Sequence, residues 1–386
     1  MIKNKIFTSE SVSEGHPDKI CDQVSDAILD ACLEQDPDSR VACECFAGKG
    51  FLVISGEITT KAVVNYDQVA RDTIRRIGYI DPALGFAADT VAIMNMVNKQ
   101  SPDIAMGTND DVGGAGDQGI MFGYACNETK ELIPATLAYS HNIVKKLAEL
   151  RKVDGSYASR ILRPDAKSQV SIEYGENGQI KRVDAIVVST QHSPEATQGE
   201  IHEFIRDVVI PECIPSKYID DNTKIYINPT GRFEIGGPMG DTGLTGRKII
   251  VDSYGGRGHH GGGCWSGKDS TKVDRSAAYM TRYLAKNIVA AGLADECEIE
   301  IAYAIGVAQP VAVYCDTFGT GVVDDNKITE YIEKNFDLTP AGIIRFLDLR
   351  KPQFEQLAAY GHLGREDLGV RWEDTSNSDE FRKLLG

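Results

Sequence analysis

Two runs of apolar and β-branched residues between 169 and 189 meet at Asn177-Gly178, a dipeptide strongly favoured in two-residue hairpin turns. So tight a turn joins only antiparallel neighbours, so part of the sheet must be built that way. The signature recurs where 41–46 and 51–58 face each other across Gly48-Lys49-Gly50, and again as paired strands within 298–315. Helical periodicity precedes each hairpin. Ile20, Val24, Ala27, Ile28 and Ala31 mark a helix over 17–34, and longer helices are predicted at 134–150 and 273–291. Shorter helices are expected at 67–77 and 195–209, and strands at 224–228 and 248–252. The result is three helix-plus-hairpin units without a residue-level repeat, which argues for α+β rather than a doubly wound parallel sheet.

At 386 residues the chain exceeds one ordinary core, so two or three domains are expected. No apolar run approaches the ~20 residues that span a bilayer. Residues 1–7 carry lysines but no apolar stretch or small-residue cleavage site, so a cytoplasmic protein is expected. Nine scattered cysteines without a CxxC pair read as reduced thiols packed like small apolar residues. A net charge of −16 excludes nucleic acid and anionic membranes as main partners. Against that background, cations gathered beside glycines require a reason.

They gather between 255 and 275. Gly256, Gly258 and Gly261 match GxGxxG, yet Ser276 stands where the ribose-binding acid belongs. Gly262 to Lys268 matches GxxxxGK, yet Asp269 replaces the magnesium-binding Ser/Thr. Lys268, Lys272, Asp274 and Arg275 then open a helix, where lysines are unfavourable unless an anion is present. The loop reads as a phosphate cradle, with a flexible linker or a solvated first turn as the alternatives. A second glycine loop, 231–241, holds Phe233 for a base and Asp241 for a hydroxyl or ammonium, with Arg247-Lys248 just beyond. His16 and Asp18 open the first helix, and Asp165 and Lys167 precede a strand. Cations at Lys167, Arg247, Lys248, Lys268 and Lys272, with magnesium-type carboxylates at Asp18 and Asp274, are the equipment of polyphosphate chemistry. The glycine- and aspartate-rich stretch 101–119 reads as a lid or a disordered loop, and a lid is preferred.

Gly114-Ala115-Gly116-Asp117-Gln118-Gly119 and 261–269 resemble the hallmark segments of the S-adenosylmethionine synthase (methionine adenosyltransferase) family. Further stretches at 7–19, 40–44, 56–60, 99–104, 162–170, 227–252 and 272–294 are similar too, so the likeness covers nearly the whole chain. Cys264-Trp265 departs from the family's usual Ala-Phe. The resemblance implies three α+β subdomains (1–101, 113–232 and 233–372) related by pseudo-threefold symmetry, with mixed or antiparallel sheets covered by helices and a lid at 101–113. It implies a homodimer or homotetramer with sites between subunits, acting on ATP and L-methionine with two Mg²⁺ per site and K⁺. By the same resemblance His16, Lys167, Arg247 and Lys268 would be catalytic. Asp165, Arg232, Phe233, Asp241, Lys248 and Cys264 would join them in binding ATP. Glu57, Gln100, Asp117, Asp241 and Lys272 would orient methionine or the ribose. Asp18 and Asp274 would hold magnesium, and Glu44 potassium. A small-molecule kinase with the same cradle is the alternative, and a catalytically dead ATP-binding protein the third reading.

Overall fold

A computed structural model describes residues 2–99 and 114–385. Its elements repeat one order three times. The first unit runs β1 (Ile6–Val12), α1 (Pro17–Gln35), β2 (Arg40–Gly48), β3 (Phe51–Thr59), α2 (Tyr66–Ile77) and β4 (Ala92–Asn98). The second runs β5 (Gly119–Cys126), α3 (Ala135–Arg151), β6 (Leu162–Tyr174), β7 (Ile180–His192), α4 (Gln198–Phe204) and β8 (Lys224–Ile227). The third runs β9 (Gly243–Leu244), α5 (Val273–Ala290), β10 (Glu296–Tyr303), β11 (Ala312–Asp316) and α6 (Asp325–Asn335). The three helix-plus-hairpin units expected from periodicity are present.

Each unit's leading strand pairs with the hairpin of the next. β1 lies antiparallel to β6, β5 to β10, and β9 returns to β2. The sheets are therefore β1-β6-β7-β8, β5-β10-β11 and β9-β2-β3-β4. In both four-stranded sheets the last strand is parallel to its neighbour, because a helix crosses over between them. The architecture is α+β with mostly antiparallel strands. The expected strand at 248–252 is instead a one-turn helix, Ile249–Asp252. Its β-branched residues favour a strand, but Asp252 is drawn into the interior by Lys19, and its amide bonds back to Lys248 O at 2.9 Å.

α1 and α5 run through the core and bury polar as well as apolar side chains. α5 also buries Arg275, Arg282 and Lys286, each paired: Arg275 with Asp26, the other two with Glu373. Removing one member of such a pair costs about 3–5 kcal/mol, because a charge is left unmatched out of water. All nine cysteines are free and all but the half-buried Cys264 are buried, in keeping with packed thiols. No helix among the described residues is long and apolar enough to cross a membrane.

Candidate active site

His16 caps α1. Pro17 occupies the first helical position, where its missing N–H costs nothing, and His16 Nδ1 accepts the Asp18 amide at 3.1 Å. An imidazole that accepts at Nδ1 is neutral and carries its proton on Nε2. Burial first, then the charge of Lys248, drive its pKa down to about 3 despite the opposing Asp18. Nε2 has no hydrogen-bond partner among the described residues. The ring is a neutral donor held ready at physiological pH.

Asp18 is buried beside it. Its Oδ1 accepts the Leu244 amide at 3.0 Å, its Oδ2 pairs with Lys248 Nζ at 2.6 Å, and Arg247 Nε lies 3.5 Å from Oδ1. Burial would raise the carboxyl, but Lys248 and the Leu244 amide hold it below its ordinary range. Asp165 comes in on β6. Its Oδ2 accepts the Gly237 amide at 2.8 Å while Oδ1 is buried without a partner, and burial outweighs that bond to push its pKa up to about 6. The exposed Lys167 acts electrostatically on both His16 and Asp165, and the exposed Asp241 on Asp165. Phe233 is fixed through its backbone, donating to His192 Nε2 and accepting from the His192 amide, both at 3.0 Å. Arg232 stands out in solvent, 3.7 Å from Glu234.

A second cluster forms at the start of α5. Lys268 Nζ meets Asp274 Oδ2 at 2.7 Å, and Lys272 Nζ meets Asp269 Oδ1 at 2.6 Å. The lysines' unfavourable place at a helix N-terminus is thus offset internally. Asp269 also accepts from the Val41 amide at 2.7 Å and from the Thr271 amide at 2.9 Å. It ties the loop to β2, which explains an acid where a P-loop would have a hydroxyl. Lys268 bridges Ala42; Ala42 registers with Glu57, and Glu57 with Asn98 on β4. Glu57 therefore lies one strand beyond β2, and the exposed Glu44 lies on β2 within the electrostatic reach of Lys268. Asp117 is exposed just ahead of β5, and a Cβ at Gly119 would stand 3.9 Å from Asp274 Oδ1. Gln100 and the expected lid at 101–113 lie outside the described residues.

The loops of the two clusters lie close together: a Cβ at Gly246 would come within 2.9 Å of Cys264 Sγ. Burial pushes the Cys264 thiol up to about 11, so it is a neutral wall rather than a nucleophile. Trp265 is buried edge-on against His362 and Tyr279, with centroids 5.0 and 5.6 Å away. It packs into the interior beside α5. Sequence reasoning missed Asp22, Asp26 and His192 and read Arg275 only as a charge at the helix start; all four hold the loops from behind. Only the four-residue spacing of the aspartates along α1 signals the first two.

Three family models match in chain order: S-adenosylmethionine synthetase N-terminal domain over 4–102, central domain over 112–233, and C-terminal domain over 235–374. Each of the three repeated units falls within one of these matches. The chain belongs to the S-adenosylmethionine synthetase family and is a methionine adenosyltransferase.

Proposed function

We propose that the methionine sulfur attacks C5′ of ATP, forming the S–C5′ bond of the sulfonium and releasing the whole tripolyphosphate, which water then cleaves to phosphate and pyrophosphate. The observation that carries this reading is His16: a neutral imidazole with a free Nε2–H beside a cluster of cations. A thioether has no proton to lose, so the site needs a donor for the leaving oxygen and positive charge for the chain behind it, not a base. His16 supplies the first; Lys167, Arg247, Lys248 and Lys268 supply the second. Phe233 stacks on adenine with Arg232 beside it, and the unpartnered Asp165 Oδ1 accepts a ribose hydroxyl. Cys264 lines the nucleotide pocket. Glu57, Gln100, Asp117, Asp241 and Lys272 orient methionine or the ribose.

No three acidic, His or Cys side chains among the described residues stand close enough to form a metal cage. Asp18 and Asp274 each stand singly, neutralised by a lysine. That donor set suits Mg²⁺, which commonly takes one or two carboxylates and completes its shell with substrate phosphates and water. Two magnesium ions, held by Asp18 and Asp274, would supply Lewis-acid neutralisation of the triphosphate oxygens. Lys248 and Lys268 then exchange a carboxylate for a phosphate, so the chain's ion pairs keep the buried charges matched until nucleotide arrives. Glu44 is proposed to hold K⁺. The exposed apolar side chains of Met94, Met96, Ile120 and Leu244 support self-association as a homodimer or homotetramer with the site at the subunit interface. Incubation with ATP, methionine and Mg²⁺ is expected to yield a sulfonium with phosphate and pyrophosphate. ADP without sulfonium would instead support a kinase.

A further inference from the structure

The face of α1 that carries Asp18 continues with an aspartate every fourth residue, at 22, 26 and 30. In an ordinary helix such a row faces solvent. Here Asp18, Asp22 and Asp26 are at most 1% exposed, and each accepts a backbone amide from a distant segment. Asp22 Oδ1 takes the Gly246 amide at 2.8 Å. Asp26 Oδ1 takes the Gly267 amide at 2.8 Å. Asp30 takes the amides of Gln353, Phe354 and Glu355 within 3.1 Å.

The first two contacts use one device twice. Gly246 and Gly267 both have positive φ, +83° and +79°, and each immediately precedes a cation of the phosphate cluster: Arg247-Lys248 in one loop, Lys268 in the other. At Gly267 the following carbonyl is held as well, since Arg275, paired with Asp26 through both terminal guanidinium nitrogens at 2.7 Å, donates to Lys268 O at 3.0 Å. The helix that bears His16 thus grips both cation-bearing loops by the amide just before each cation.

We propose that Asp22 and Asp26 are positioning residues: α1 sets the distance between the His16 donor and the phosphate-binding Lys248 and Lys268 by fixing the backbone of Gly246 and Gly267. This rests on the reading of Lys248 and Lys268 as phosphate ligands. Neither aspartate touches substrate; each acts through a glycine amide. Asp22 is the one that can be removed with its surroundings left balanced. It shares Lys19 with Asp252, and burial beside these groups pushes Asp252 up to about 7. Deleting one of two carboxylates leaves Lys19 paired one to one, whereas deleting Asp26 would strand the buried Arg275.

The experiment compares wild type, Asp22→Ala and Asp22→Asn as full-length protein, folded fraction being checked by circular dichroism. Tripolyphosphate binding is measured by calorimetry with Mg²⁺ present, and the KM for methionine is measured at saturating ATP. Asp22→Ala is expected to weaken tripolyphosphate binding at least tenfold, with the methionine KM within twofold of wild type. Asp22→Asn, which keeps an acceptor for the Gly246 amide, is expected to restore binding to within threefold. Equal losses in Asp22→Ala and Asp22→Asn would overturn the proposal, since charge rather than the amide contact would then matter. So would unaltered binding by folded Asp22→Ala, or a matching rise in methionine KM. Should Asp22→Ala not fold, a tenfold loss in Asp22→Asn alone would also overturn it. Failure of the wild type to bind tripolyphosphate would overturn the phosphate-site reading first, and this inference with it.

Discussion

Asp165 should make the protein's stability depend on pH in a way that Asp165→Asn abolishes. Its carboxyl titrates at about 6 in the folded chain, because burial outweighs the Gly237 amide, against about 3.9 when unfolded. A raised folded pKa means that the unfolded state gives up its proton first. The stability contributed by this group is therefore complete below pH ~4 and is lost as pH rises through 6. The gap between the folded and unfolded values corresponds to about 3 kcal/mol in all, and integrating the titration puts about half of that between pH 5 and 8. Asn cannot titrate. Whatever constant offset the amide introduces, the difference in unfolding free energy between variant and wild type should move toward the variant by about 1.5 kcal/mol from pH 5 to pH 8. Urea unfolding of both proteins at several pH values measures it. The neighbouring charges of Lys167, Asp241 and Asp18 are common to both and cancel to first order. A difference flat with pH would refute the buried, unmatched carboxylate. Nucleotide binding should weaken in the same variant, because the proposed ribose acceptor, Asp165 Oδ1, is partly replaced by a donor.

Three further outcomes are expected. Asn is also a good helix cap, so His16→Asn should keep α1 intact while slowing sulfonium formation by about 10²–10³-fold. Hydrolysis of added tripolyphosphate should fall far less, and equal losses in the two assays would refute a role at C5′. With a His16 pKa near 3, no limb of the wild-type pH–rate profile between 5 and 8 should vanish in that variant. Gly267→Ala should destabilise the fold by about 2 kcal/mol or more, measured by urea unfolding, because φ is +79° and the new Cβ would sit 1.9 Å from Cys43 O. Replacing potassium by sodium should lower steady-state turnover if Glu44 holds the ion, and Glu44→Ala should remove the difference.

Local signals carried much of this structure into view from the sequence. Asn177-Gly178 and Gly48-Lys49-Gly50 sit at hairpin turns because turn chemistry acts over a few residues, and α1, α3 and α5 follow their apolar spacing. Of the strands at the sheet edges, β8 was legible, but β1, β4, β5 and β9 were invisible. β9 is two residues long and β4 is largely exposed, so neither shows a period. The 248–252 segment misled, because Ile249-Ile250-Val251 states a strand preference that a buried Asp252–Lys19 pair overrides. At the site, glycines and cations were legible as types in a pattern. The aspartates behind them were not, because a row of acids on a helix reads as a wetted face unless the partners that bury it are known.

The exchange of leading strands has a consequence for synthesis. The β2–β3 hairpin is complete once residue 59 has been made, but the strand that covers its β2 edge, Gly243–Leu244, is about 180 residues further on. β1 likewise waits for β6, and β5 for β10. An emerging chain therefore carries open strand edges for most of its time on the ribosome, at roughly 5–20 residues per second, and such edges invite pairing with other chains. No third of the sequence is a self-sufficient folding unit; a fragment cut at either unit boundary leaves one hairpin without its neighbour. The cycle of strand exchanges closes only when β9 and β10 of the last unit have been made, so the two cation-bearing loops are set late as well.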